Sequence, residues 1–115
     1  MMENKSLARL AEESQRYRSA LEKCKGQFFC VGLHDFPVGA CGIVSEMLGR
    51  HLLSLGFQEV EYVNAERGPK LDGNWTTHAW LDVAGYTVDI TADQFPDWTG
   101  EKVAVTLATD WHNGF

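Results

Sequence analysis

Three short stretches of the chain carry side chains that can act together on a carbonyl group. A cysteine stands in Gly39-Ala40-Cys41-Gly42, His78 in a predicted strand, and Asp89 in the strand that follows it. A thiol becomes a strong nucleophile when a base removes its proton, and that base works best when a third group orients it. The sequence therefore predicts a covalent thiol enzyme with Cys41 as nucleophile, His78 as general base and Asp89 as the orienting carboxylate.

Cys41 lies where a helix is expected to begin, and that placement favours the reactive form of its thiol. A helix N-terminus and a nearby imidazolium both stabilise a thiolate, whose ordinary pKa is about 8.5. The residues before it, Val38 to Ala40, offer no side chain that would cap the helix. We therefore expect its first backbone N–H groups to be free for an oxyanion hole, with the Cys41 N–H as the obvious donor.

The elements that must position these residues follow from hydrophobic spacing. Apolar residues at three- and four-residue steps predict helices at about 3–24 and 41–55, the second ended by Gly56. Alternating patterns predict strands at 59–64, 76–83, 86–91 and about 103–107, and the Gly- and Pro-containing stretch 65–75 reads as a loop. Helices followed by strands in this order predict an α+β domain, with the central Cys-bearing helix packed on a small antiparallel sheet.

The turn between the second and third predicted strands sets the register of the proposed base and its carboxylate. If Ala84 and Gly85 form a two-residue turn, Val83 pairs with Tyr86. His78 and Asp89 then share one face as diagonal neighbours, with backbones about 7–8 Å apart. A four-residue loop keeps this register, whereas a three-residue loop would place the two side chains on opposite faces.

The same stretches resemble a known family. The chain is similar to the transglutaminase-like branch of the papain-like cysteine protease superfamily over residues 37–95. The resemblance is carried by Gly39-Ala40-Cys41, Leu52-Leu53-Ser54-Leu55-Gly56-Phe57, His78-Ala79-Trp80-Leu81-Asp82-Val83 and Asp89-Ile90-Thr91. It implies a papain/transglutaminase-like fold in which Cys41, His78 and Asp89 form the catalytic triad.

Departures from the family pattern leave the second oxyanion donor open. Asp82 stands where the pattern often has Glu, and Asp35 stands six residues before the cysteine, where the pattern has glutamine. A carboxylate repels an oxyanion, so His34 or a further backbone amide is the remaining candidate.

Further aromatic and amide side chains are candidates for contact with substrate. Trp80 shares the predicted face of His78, where it either walls the site or packs in the core. Gln94 follows the Asp89 strand and either contacts substrate or is a loop amide. Trp75 and Trp98, in predicted loops, are candidates for a substrate groove or a partner surface.

Length, charge and cysteine content limit the alternatives. The 115 residues fit one domain, and 16 acidic against 10 basic residues, without a basic cluster, argue against a nucleic-acid partner. No apolar run could cross a bilayer and no signal peptide is recognised, so we expect no membrane partner and a cytoplasmic location, with signal-independent export left open.

The irregular spacing of Cys24, Cys30 and Cys41, even with His34, argues against disulfides and structural zinc, and no nucleotide-binding motif is present. We therefore expect neither metal nor cofactor.

Two functions remain after this. The first is acyl transfer from peptide or side-chain amide bonds of a protein or peptide substrate, as in a protease, deamidase or transglutaminase-like enzyme, through a thioester resolved by water or an amine. The second is a binding or immunity-type module that retains the fold without catalysis. The sequence does not determine the oligomeric state.

Overall fold

Helices packed on an antiparallel sheet give this chain an α+β fold. The structure, a computed structural model, describes residues 3–23, 36–37, 40–67 and 76–115. Within these ranges lie three helices, α1 (Asn4–Lys23), α2 (Cys41–Ser54) and α3 (Asp110–Asn113), and a short 3-10 turn over Ala92–Gln94. The four strands are β1 (Val60–Arg67), β2 (Thr76–Val83), β3 (Tyr86–Asp89) and β4 (Ala104–Thr106).

The four strands form one antiparallel sheet in the order β1-β2-β3-β4. Ala84 and Gly85 have φ angles of 51° and 90°, and this pair of positive values is what a tight two-residue hairpin turn requires. Val83 pairs with Tyr86 across the turn, which confirms the predicted register.

Helix α2 packs on the sheet, and this packing determines how close its first residue, Cys41, lies to the sheet. Gly49 lets the helix approach β2, because a Cβ there would lie 3.3 Å from Leu81 Cδ2. The Ser45 hydroxyl, one turn after Cys41, donates to the carbonyl of Ala79 at 3.2 Å. The core between helices and sheet includes Leu10, Leu21, Phe36, Val44, Leu48, Leu52, Leu81, Val83, Val88 and Ile90.

Several predicted boundaries are corrected by the structure. Strand β1 continues through Arg67, so the expectation of a loop from residue 65 was wrong for residues 65–67. Strand β3 ends at Asp89 because the chain turns into the 3-10 segment soon afterwards. Helix α3 was not predicted, since four residues are too few to show a helical period. In the described part of the chain, no helix has the length and apolar character needed to span a membrane.

Candidate functional site

Cys41 is the first residue of α2. Ala40, before it, makes no side-chain cap, as expected. Burial alone would raise the pKa of the thiol, but hydrogen bonding to His78 and to the backbone of Ala79 and Gly42, with the positive charge of the His78 ring, brings that pKa below its ordinary value. The half-buried thiol is therefore biased toward thiolate.

The hairpin brings His78 and Asp89 together, as the register predicted. The His78 Nε2–H donates to Asp89 Oδ2 at 2.7 Å, and the two residues are 0% and 1% exposed. The paired residues of β2 and β3 end at Leu81 and Val88. His78 and Asp89 lie beyond this last pair, but their side chains still point to the same face of the sheet and meet there. A carboxylate this close to one ring nitrogen fixes the orientation of the imidazole.

The second ring nitrogen of His78 is left for the thiol. Nδ1 is buried and has no hydrogen-bond partner of standard geometry among the described residues, so the Cys41 contact is looser than the bond to Asp89. Burial opposes the charged ring, but hydrogen bonds and opposite charges from Asp89 and Cys41 raise the pKa of His78 to about 9. Because the thiol pKa is lowered and the imidazole pKa is raised, the site favours the thiolate–imidazolium pair over the neutral thiol–imidazole pair.

Aromatic rings enclose the imidazole. Four ring centroids lie 4.9–5.7 Å from that of His78, those of Trp80, Phe95, Trp111 and Phe115. Trp80 is 7% exposed, so it both packs in the interior and forms one wall of the site. Together with the 0% exposure of His78, these contacts place the imidazole in an apolar, water-poor environment.

His112, which the sequence did not single out, lies on the other side of Asp89. Its Nε2 is 2.7 Å from the same Oδ2 that accepts from His78. Its Nδ1 is 2.7 Å from the hydroxyl oxygen of Thr109, and this oxygen also accepts from the His112 backbone N–H at 3.0 Å. Thr109 before Asp110 is a recognisable helix start, but no sequence pattern connects this four-residue helix with Asp89.

Asp89 therefore accepts three hydrogen bonds although it is buried. Its Oδ2 is shared by two histidines, and its Oδ1 accepts from the Thr91 backbone N–H at 2.9 Å. Burial would raise the pKa of this carboxyl, but the hydrogen bonds from His112 and His78, the charge of His78 and the Thr91 N–H bring it below its usual value. The carboxylate stays ionised.

The other predicted contact residues have varied positions. The Gln94 side chain donates to the carbonyl of Thr91 at 3.1 Å, which anchors it to the turn after β3. Trp98 packs against Trp111 and His112, with ring centroids 5.0 and 5.3 Å away. The predictions for His34 and Trp75, and those for Cys24, Cys30 and Asp35, fall outside the described residues.

One group of side chains among the described residues has the composition of a metal site: His78, Asp89 and His112. Each histidine nitrogen lies 2.7 Å from the shared oxygen, which is a hydrogen-bond distance. Two ligands of a tetrahedral zinc ion lie about 3.4 Å apart, given metal–ligand bonds near 2.1 Å. The observed spacing fits protons between these atoms better than a metal ion.

A groove lies between α2 and the sheet. It has a volume of about 330 Å³ and is lined by residues that include Glu46, Gly49, Leu53, Val60, Tyr62 and Leu81. Cys41 and His78 do not line it, but the Tyr62 hydroxyl lies 3.5 Å from the point where a Cβ on Gly42 would be. Burial, Cys41 and Glu46 together raise the pKa of Tyr62. The Tyr62 end of the groove therefore lies next to Gly42, the residue that follows Cys41.

Among known proteins, no family model, curated protein or solved structure matches this chain.

Proposed function

We propose that this protein is a thiol-dependent acyl-transfer enzyme of the transglutaminase-like, papain-like type, acting on peptide or side-chain amide bonds. The observation that carries the proposal is the buried 2.7 Å bond from His78 to Asp89, on the ring whose charge also lowers the pKa of Cys41. A purely structural histidine needs no such coupling to a half-exposed thiol at a helix start. Perturbed titration of several groups in one cluster is typical of catalytic sites.

In the proposed reaction, the Cys41 thiolate attacks the carbonyl carbon and the carbonyl electrons move to oxygen. In this reaction the Cys41 backbone N–H at the start of α2 donates to this oxyanion. The Nδ1–H of His78 protonates the leaving amine, the carbon–nitrogen bond breaks and a thioester remains. Nδ1 then accepts a proton from water or an amine that attacks the thioester, the carbon–sulfur bond breaks, and the acyl product leaves with the Cys41 thiolate and the His78 imidazolium restored.

The groove supplies the site for the acyl part of the substrate. Its lining from Gly49, Val60 and Leu81 is apolar, and its end at Tyr62 lies beside Gly42. The groove would therefore bind an apolar side chain of the substrate close to the scissile carbonyl.

Trapping with an electrophilic peptide tests this function. A vinyl sulfone peptide with leucine next to the electrophile should add covalently to Cys41, as read by intact mass and peptide mapping. Leu53→Asp, which places a charge in the groove at a 55% exposed position, should slow labelling about tenfold, since one apolar contact in a pocket contributes about 10–200-fold. Labelling by iodoacetamide, which does not use the groove, should not change.

The matched control is Leu107→Asp, at a 59% exposed leucine outside the groove. It should label as the wild type does. Equal labelling of the Leu53 and Leu107 variants would rule out the groove as the acyl site, and absence of any Cys41 adduct would contradict the enzyme itself.

The second candidate, a binding module without catalysis, has one observation in its favour. The His78 ring is fully buried, with Trp111 and Phe115 packed against it. A sealed imidazole can stabilise a fold without exchanging protons with a substrate. In that case Cys41 reacts as an ordinary thiol.

A further inference from the structure

We propose that His112 is a positioning residue of this site, which holds Asp89 in the orientation that His78 requires. The inference rests on the proposed function and adds a fourth side chain to the predicted triad. His112 reaches the site from α3, an element separate from the hairpin that carries His78 and Asp89.

The hydrogen-bond network assigns the protons. A carboxylate oxygen can only accept, so both histidines must present an Nε2–H to Asp89 Oδ2. When His112 is neutral, its Nδ1 accepts from the Thr109 hydroxyl at 2.7 Å. The Thr109 oxygen at the same time accepts from the His112 backbone N–H. Every polar atom of the His112 side chain then has a partner, and its ring cannot flip without losing two of them.

The consequence for Asp89 is a carboxylate held from three directions. His78 and His112 hold Oδ2, and the Thr91 N–H holds Oδ1. Without His112, one buried lone pair loses its donor and the carboxylate can rotate away from His78. His78 then loses its fixed ring orientation and part of its support as a cation, and Cys41 in turn loses the charge that stabilises its thiolate.

The charged surroundings of the ring pair are defined by few groups. Cys41 faces His78 from α2, and Asp89 lies between the two histidines on β3. Arg67 of β1 covers the outer rings, with its guanidinium carbon 4.5 Å from the centroid of Phe115 and a 2.9 Å ion pair to Asp97. Asp89 is the carboxylate in hydrogen-bond contact with both imidazoles.

The test measures the rate of Cys41 alkylation by iodoacetamide as a function of pH, which needs no substrate. His112→Leu removes the donor, while His112→Gln keeps an N–H at nearly the same distance from the backbone. We expect His112→Leu to raise the pKa of the Cys41 thiol and to lower the pKa of His78, so that the thiolate–imidazolium pair exists over a narrower pH range. Alkylation at pH 6 should slow about tenfold for each unit by which the thiol pKa rises. His112→Gln should stay within about threefold of the wild type.

A second pair of variants covers the case in which His112→Leu does not fold. Thr109→Val removes the hydroxyl that fixes the His112 ring and should shift the profile in the same direction, whereas Thr109→Ser should restore it. Asn113→Ala, an exposed change in the same helix, is the control and should leave the profile unchanged.

An unchanged pH profile in folded His112→Leu or Thr109→Val would overturn the proposal, even if stability fell. That result differs from failure of the proposed function, in which the wild type itself would titrate as an ordinary thiol. The positioning role therefore requires that the wild-type alkylation profile differs from that of an ordinary thiol. His112→Leu and Thr109→Val should lose this difference, and His112→Gln and Thr109→Ser should keep it.

Discussion

At the scale of single residues, the central feature is a carboxylate that remains charged away from water. Asp89 is 1% exposed, and its ionisation depends on three donors and on the cation of His78. The same carboxylate is the first cause that raises the pKa of His78 against the effect of burial. Charge on Asp89 and protonation of His78 are therefore linked.

Replacing Asp89 with asparagine tests this link. Asp89→Asn keeps the shape but removes the negative charge, so the pKa of His78 should fall from about 9 to its ordinary value of about 6.5 or below. The measurement is an NMR titration of the His78 ring. As the matched control, Asp82→Asn changes a carboxylate that accepts from Gly85 at the turn and should leave the titration in place. A His78 pKa that stays near 9 in Asp89→Asn would contradict the assigned cause.

At the scale of elements, the β2–β3 turn determines whether the site can form. Ala84 and Gly85 both have positive φ angles, and Ala84 carries a Cβ in a conformation that costs an L-residue about 1 kcal/mol. Its N–H donates to the Glu59 carbonyl at 3.0 Å, and the Gly85 N–H donates to Asp82. These two hydrogen bonds stabilise the turn, and with it the strand register, although Ala84 must adopt a left-handed backbone conformation that alanine does not favour.

Substitutions at the turn should therefore move stability in opposite directions. Ala84→Asn should raise the free energy of unfolding by about 0.5–1 kcal/mol, because asparagine tolerates the left-handed region. Gly85→Ala should lower it by about 1 kcal/mol through backbone strain alone, since no atom of the described residues lies within 4 Å of the added Cβ. Urea unfolding measures both. A stability loss in Ala84→Asn equal to that in Gly85→Ala would show that the turn is not under this strain.

The elements also show how far sequence reasoning reaches. Strand β2 was predicted with its observed bounds because alternation and the Ala84-Gly85 turn agree on the register. The ends of β1 and β3 depend on pairing with neighbours, so local patterns did not define them. Cys41, His78 and Asp89 were brought together as predicted, whereas His112 was missed because its contact with Asp89 spans 23 residues and begins from a helix of four.

At the scale of the whole molecule, α1 is fastened to the segment that follows Asp89. The Arg18 guanidinium is buried, donates to the Ile90 carbonyl at 2.7 Å and forms two bonds to Asp93 at 2.7 and 2.9 Å. It also lies 4.7 Å from the ring centroid of Phe36. The first helix and the end of β3 are thus joined across 72 residues of sequence, which steadies the strand end that carries Asp89.

Removing this connection should be costly. Arg18→Leu leaves a partly buried carboxylate and a buried carbonyl without their donor, so we expect a loss of about 3 kcal/mol in the free energy of unfolding. Arg16→Leu on the same helix is the control, because its pair with Glu13 is exposed and 3.4 Å long, and it should change stability by less than about 0.5 kcal/mol. Denaturant unfolding of both variants gives the comparison. A similar small effect for the two would mean that α1 is held by apolar packing alone.

The proposed function depends on the coupling between the Cys41 thiol and the His78 ring, and the pH dependence of Cys41 alkylation measures this coupling without a substrate. In the wild type we predict faster reaction at neutral pH than an ordinary thiol shows, with a midpoint below the ordinary thiol value of about 8.5, because the imidazolium persists until the pH rises through about 9. Acyl transfer should decline above that pH as His78 loses the proton that it donates to the leaving group. His78→Ala should return the alkylation midpoint to the ordinary thiol range. A wild-type midpoint near 8.5 that the His78→Ala change leaves in place would contradict the account.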